Sequence, residues 1–211
     1  MNTRFAEVLG YSEEELLAEL DSLDRPPCTY THPSPYTTPT RLIPLSLPQC
    51  RRTCTDRARS RQLGDPFSPA TAQGPQVDRD QFEKIMSYIT LAKEEGGTIL
   101  CGGKDVNPGG DHAGGYFIEP TVIEGLSQQC RTNQEEIFGP VVTIQPFDRE
   151  EEALALANAS DYGLASVIWS NDIKRCHRVA RALHAGIVWV NCWMIRDLRT
   201  SASEGHGPEG V

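Results

Sequence analysis

The spacing of apolar positions in this chain changes near residue 56. Beyond that point Phe82, Ile85, Met86 and Ile89 recur at three- and four-residue intervals, which places them on one face of a helix. Asp78 with Gln81 three positions later predicts a capping box at its start, and Gly96-Gly97 predicts its end. Residues 98–101 read as a short strand. A Gly/Pro/Asp-rich loop over 102–115 leads to residues 116–123, whose alternation and β-branched content predict a second strand, and 141–147 predict a third. Asp148 with Glu151 predicts a capped helix running through Asn158, and 165–169 return as a strand. Asn171 or Asp172 opens the next helix, with Ile173, Cys176, Ala180 and Leu183 on one face and Gly186 as its stop. Residues 187–190 form a buried-strand run. Strands alternating with helices of this length predict an α/β fold with a parallel sheet and flanking helices.

The first sixty residues have another texture. Ser12 and Glu15 predict a capping box, and Leu16, Leu17 and Leu20 supply an apolar face, so residues 2–20 read as a short helix. Asn2, Phe5, Leu9-Gly10-Tyr11-Ser12 and Glu14-Glu15-Leu16 resemble the helical opening of PAS sensor domains, over fewer than twenty residues. The sheet and ligand pocket of such a domain do not follow. Seven prolines stand between Pro26 and Pro48 instead, and their lack of N–H donors predicts extended, unpacked chain.

Charge and cysteine usage narrow the function classes. A formal charge of -9 argues against a nucleic-acid or anionic-membrane binder, because both partners require a positive surface. The basic cluster Arg51, Arg52, Arg57, Arg59 and Arg61 reads as a solvated helix face or linker in preference to a nucleic-acid patch. Seven cysteines form no regular framework, and the chain shows no signal peptide or long apolar run, so a reducing cytoplasm is the expected compartment. Cys50 and Cys54 stand one helical turn apart, but no second Cys or His pair lies near them in sequence, and no metal site is expected.

Several words of the chain, in one order, resemble the aldehyde dehydrogenase superfamily. They are Leu63-Gly64-Asp65-Pro66-Phe67 with Gln73-Gly74-Pro75, then Glu135-Glu136-Ile137-Phe138-Gly139-Pro140, Asn158 with Tyr162-Gly163-Leu164, and Trp189-Val190-Asn191-Cys192. The resemblance implies a partial aldehyde dehydrogenase-like catalytic domain over residues 63–200. Residues 1–62 would be an unrelated, irregular Pro-rich N-terminal segment and 201–211 a divergent tail. Family members attack an aldehyde with a cysteine thiolate, pass a hydride to NAD and hydrolyse the thioester with a glutamate as base.

The resemblance also assigns roles. Glu136 would accept hydrogen bonds from both hydroxyls of the nicotinamide ribose, since a carboxylate offers two oxygens to a vicinal diol. Phe138 would pack near the nicotinamide, and Gly139-Pro140 would supply the turn that presents both. The competing reading makes these six residues a loop entering a strand, with a solvated acidic pair. The run Trp193-Met194-Ile195-Arg196-Asp197-Leu198-Arg199-Thr200 looks most like the branch that oxidises 2-hydroxymuconic or 2-aminomuconic semialdehydes. There Arg196 would bind the substrate carboxylate through its guanidinium fork, the alternative being a surface pair with Asp197 or a neighbouring acid. Cys192 matches a position that is not the catalytic one, and a small buried apolar role is expected of it.

The family's Gly-Gln-x-Cys nucleophile segment, its Glu-Leu-Gly-Gly base segment and its glycine-turn dinucleotide-binding domain are not found in this sequence. No catalytic residue is therefore assigned. Glu94-Glu95-Gly96-Gly97 reads as a helix end. The loss of agreement at both ends of 63–200, with high agreement between, points to a rearranged or frame-shifted reading. The expected partners are a small-molecule aldehyde and, for an inactive module, full-length relatives.

Overall fold

The computed structural model describes residues 28–31, 40–44 and 48–192. The helix expected over 2–20, Arg196 and the tail lie outside them. Among the described residues, 40 and 48–145 form one compact unit, and 28–31, 41–44 and 146–192 form the other.

The first unit is built on helix α1 (Pro48–Ser60), helix α2 (Arg79–Glu94) and strands β3 (Thr98–Cys101), β6 (Thr121–Glu124) and β7 (Val141–Phe147). The last two residues of β7 are counted with the second unit. The strand order is β3-β6-β7. β6 and β7 run parallel from Thr121 opposite Val141, while β3 pairs antiparallel with β6 from Thr98 opposite Glu124. A separate ribbon pairs β4 (Asp105–Val106) with β5 (Phe117–Ile118). The single strand expected over 116–123 is thus split at Glu119-Pro120. Proline cannot donate to a ladder, and the chain changes sheet where it stands. Ile85, Ile89 and Ala92 of α2 are buried with Ile118, Ile123, Leu126, Ile137 and Val141. The 3.6-residue period therefore marked the core-facing stripe.

The second unit contains β1 (Cys28–Thr31), β2 (Thr40–Pro44), helix α4 (Glu150–Ala157), β8 (Ala165–Trp169), helix α5 (Ile173–Ala182) and β9 (Ile187–Val190). The four-residue helix α3 (Arg131–Gln134) belongs to the first unit. β8, α5 and β9 form a βαβ unit with Ala165 opposite Ile187, and β1 pairs antiparallel with β8 through Cys28 opposite Trp169. The expected parallel pairing therefore holds at β6–β7 and β8–β9, and antiparallel neighbours make the sheet mixed. Ile168, Cys176, Val179 and Leu183 form the core between α5 and the strands.

Three local expectations change. The Pro-rich segment is not wholly unpaired: β1 has no proline, and β2 has one only at its last residue, so their backbones are free to pair. Asp148 does not cap α4. Its backbone N–H donates to Glu152 at 2.9 Å, and Arg149 occupies the cap position. The basic cluster is largely the exposed helix face expected, but two of its members also hold the fold: Arg51 pairs with Glu124 and Arg59 donates to the Leu100 carbonyl at 3.0 Å, fastening α1 to β3 and β6.

Asp78 caps α2 as expected, accepting from the Gln81 N–H at 2.8 Å. Asp78→Ala should cost about 1 kcal/mol, read as a lower urea midpoint at an unchanged slope.

Candidate functional site

The six residues 135–140 join α3 to β7, and helix α2 holds them along their length. Tyr88, Ile85 and Gln81 lie on successive turns of one α2 face. Tyr88 meets the loop at its start, at Glu135, Gln81 meets its middle, at Ile137 and Phe138, and Ile85 lies against Gly139.

At the start, Arg131 donates to both oxygens of Glu135, at 2.7 and 2.9 Å, and the Tyr88 hydroxyl donates to one of them. These bonds, first Arg131's and then Tyr88's, hold the Glu135 carboxyl down at about 2, against the small opposing effect of burial. Burial, and then the neighbouring carboxylate, push the Tyr88 phenol up to about 12. Glu95, at the C-terminal end of α2, accepts from the N–H of Arg131 at 2.8 Å and of Thr132 at 3.2 Å, and from the Thr132 hydroxyl. Burial acts to raise the Glu95 carboxyl, but these bonds outweigh it and leave it below its ordinary value. The lookalike Glu94-Glu95-Gly96-Gly97 is therefore a helix end that also fixes the next helix.

In the middle of the loop Ile137 is fully buried. Its neighbour Phe138 is 38% exposed and has φ 61, a left-handed conformation that costs a non-glycine residue about 1–2 kcal/mol. Gly139 follows where any Cβ would stand 2.6 Å from Ile85 side-chain atoms. Only glycine fits that contact. The Gln81 side chain does not return to Asp78 as a capping box would have it. Its Nε2 donates to the carbonyls of Ile137 at 2.9 Å and Phe138 at 2.8 Å. Glu136 is half-buried between the clamped Glu135 and the core residue Ile137. The acidic pair is thus divided, with Glu135 committed to an internal clamp.

Within the second unit, described by itself, Asn191 has φ 51 directly after β9. It accepts from the Ser170 N–H and donates to the Ser170 carbonyl, both at 2.9 Å. Cys192 packs against the cluster of Ala165, Val167 and Trp189. Asn158 ends α4 and ties it to the end of α5, donating to Ala182 and accepting from the His184 N–H. Arg196 lies beyond the described residues. Among the described residues no group of three or more His, Cys, Asp or Glu could hold a metal ion, and no helix is long and apolar enough to cross a membrane.

Sequence reading singled out Glu136 and Phe138 and passed over Gln81, Tyr88, Arg131 and Glu95. The Asp-x-x-Gln spacing was satisfied by a cap, and nothing local marks a side chain that reaches 56 residues along the chain.

Comparison with known proteins gives a consistent result. The sequence profile of the aldehyde dehydrogenase family matches residues 45–208. The 2-hydroxymuconic semialdehyde dehydrogenase of Pseudomonas sp. (strain CF600) is 46% identical over 157 residues, 72% of this chain and 32% of that protein. The 2-aminomuconic semialdehyde dehydrogenase of Danio rerio is 45% identical over 139 residues, 65% of this chain and 28% of that protein. A crystal structure of betaine aldehyde dehydrogenase from Staphylococcus aureus in complex with NAD+ superposes with a TM-score of 0.76 at 38% identity, covering 82% of this chain and 35% of that one. The chain spans about a third of the length of the relatives it matches.

The Glu135 clamp makes stability depend on pH at both ends. A carboxyl held at about 2 against an ordinary 4.5 contributes fully above 4.5, and the contribution is lost as pH falls toward about 2. The Tyr88 phenol, raised from 10.0, contributes below that value, and its contribution is lost as pH rises through about 12. Glu135 is 39% exposed, so solvent screening reduces the gain. Urea midpoints taken across the acid window should fall more steeply for the wild type than for Glu135→Gln. Parallel curves would refute the clamp.

Proposed function

The chain belongs to the aldehyde dehydrogenase family, and from that premise we propose that residues 135–140 form the nicotinamide-ribose contact of an NAD-dependent aldehyde-oxidising site. The observation that supports this most directly is the held, strained presentation of Phe138 beside half-buried Glu136. Strained backbone tends to persist where a ligand requires a particular geometry.

The residues present fit that edge of NAD. Glu136 offers two acceptor oxygens to a vicinal diol, and the partly exposed Phe138 offers an apolar surface to a planar ring. Bound NAD supplies a hydride acceptor. This chain's own residues would orient it: Glu136 would fix the ribose, and Phe138 would shield one side of the nicotinamide from water. Ile137 keeps the two in register by anchoring the peptide between them in the core.

For the substrate, the proposal is a muconic semialdehyde-like aldehyde, its carboxylate read by Arg196. Two relatives carrying muconic semialdehyde names support this, together with the run that follows Asn191-Cys192. A bidentate guanidinium suits a planar carboxylate. The sequence contains neither the Gly-Gln-x-Cys nor the Glu-Leu-Gly-Gly word. The second reading is accordingly a module inactive by itself, acting at most through association with full-length relatives. Loss of the nucleophile from a covalent mechanism costs orders of magnitude in rate.

Saturation-transfer NMR with NAD and the purified chain tests the contact. Transfer to the ribose and nicotinamide protons is expected in the wild type, reduced several-fold in Glu136→Gln. No transfer in the wild type would sink the proposed contact. Incubation with NAD and a muconic semialdehyde should yield no NADH absorbance. Turnover that Glu136→Gln and Arg196→Ala abolish would overturn the inactive reading.

A further inference from the structure

We propose that Gln81 is a positioning residue that holds Phe138 in its left-handed conformation and so fixes the presentation of the 136–138 surface. The functional meaning of this clamp rests on the cofactor reading above, but the clamp itself does not.

The geometry is specific to an amide. A carboxamide nitrogen carries two hydrogens, and Nε2 of Gln81 meets two successive carbonyls, those of Ile137 at 2.9 Å and Phe138 at 2.8 Å. Two acceptors in that position leave no role there for the amide oxygen, so the orientation of the group is fixed by chemistry. Successive carbonyls converge on one donor because the peptide between them is turned by the φ of 61 at Phe138. An unclamped phenylalanine would relax toward negative φ, since its Cβ makes the left-handed region costly.

The other restraints act beside this one without replacing it. Ile85, one turn along α2 from Gln81, occupies the space a side chain at residue 139 would need, and Ile137 is buried in the same core. Both set the distance between helix and loop. Neither sets the peptide orientation at Phe138, which is what two hydrogen bonds to its flanking carbonyls determine.

Gln81 also occupies the third position of α2, where its backbone N–H meets the Asp78 cap. Gln81→Glu separates that helical role from the clamp. Glutamate is favoured at this position in a capping box and beside a helix N-terminus, yet at neutral pH it has no hydrogen to donate to the loop carbonyls.

The test is amide hydrogen exchange on the full chain without cofactor. Gln81→Glu should leave protection in α2 unchanged and raise exchange at the amides of residues 137–139 and 141 by about tenfold or more, the size expected for losing two neutral hydrogen bonds of about 1 kcal/mol each. Adding Phe138→Gly to that variant should bring loop exchange back toward the wild-type rate, because glycine adopts positive φ without the Cβ penalty. Unchanged loop exchange in Gln81→Glu, or no rescue by Phe138→Gly, would overturn the clamp. NAD added to the wild type should increase protection of the same loop. Absence of that increase, with the clamp effects present, counts against the cofactor reading alone.

Discussion

Ile137 is fully buried, and its neighbour Phe138 must leave the core at once. A strand would achieve that alternation with ordinary backbone, but here the chain is also entering β7 at Val141 and has only Gly139 and Pro140 in which to do so. The turn is made by placing Phe138 in the left-handed region and Gly139 against Ile85. Several contacts of the surrounding unit serve this arrangement. Ile85 and Ile89 bury Ile137, Tyr88 and Arg131 secure Glu135, and Glu95 fixes the start of α3.

These restraints differ in kind. Burial of isoleucines is strong and non-directional, so it holds the loop close to α2 without choosing a peptide orientation. Hydrogen bonds are weaker in net terms but directional, and an unmet one near the core is costly. The ion pair of Arg131 with Glu135 is bidentate and therefore geometrically strict, although its exposure limits its strength. The second unit uses similar devices. Asn158 and Asn191 each donate to and accept from backbone more than twenty residues along the chain, and Glu150 gathers Arg175 and Arg178.

Under the proposed function the segment is a positioning element. Membership of the aldehyde dehydrogenase family rests on a profile match over residues 45–208 and on relatives above 40% identity, while the chain spans about a third of those relatives. The loop that carries the proposed contacts Glu136 and Phe138 is held by Gln81, Ile85 and Tyr88 of α2. Catalysis in such sites depends on orientation as well as reactivity, and the described residues bear on the former.

The sequence by itself determined the family and, from residue 78 onward, the long helices and strands. The period of Phe82, Ile85, Met86 and Ile89 marked α2, β-branched runs marked the long strands, and ordered words marked the ancestry. Those signals are local, so they survive without knowledge of distant partners. Tertiary structure decided what local patterns leave open: the split of residues 116–123 at Pro120, the pairing of β1 with β8, and the division of labour between Glu135 and Glu136. Gln81 shows the reason most clearly. Its spacing from Asp78 predicted the cap correctly, but its side chain could serve either its own helix or a loop 56 residues away. Only packing, by bringing two carbonyls within reach of one amide, selected the loop.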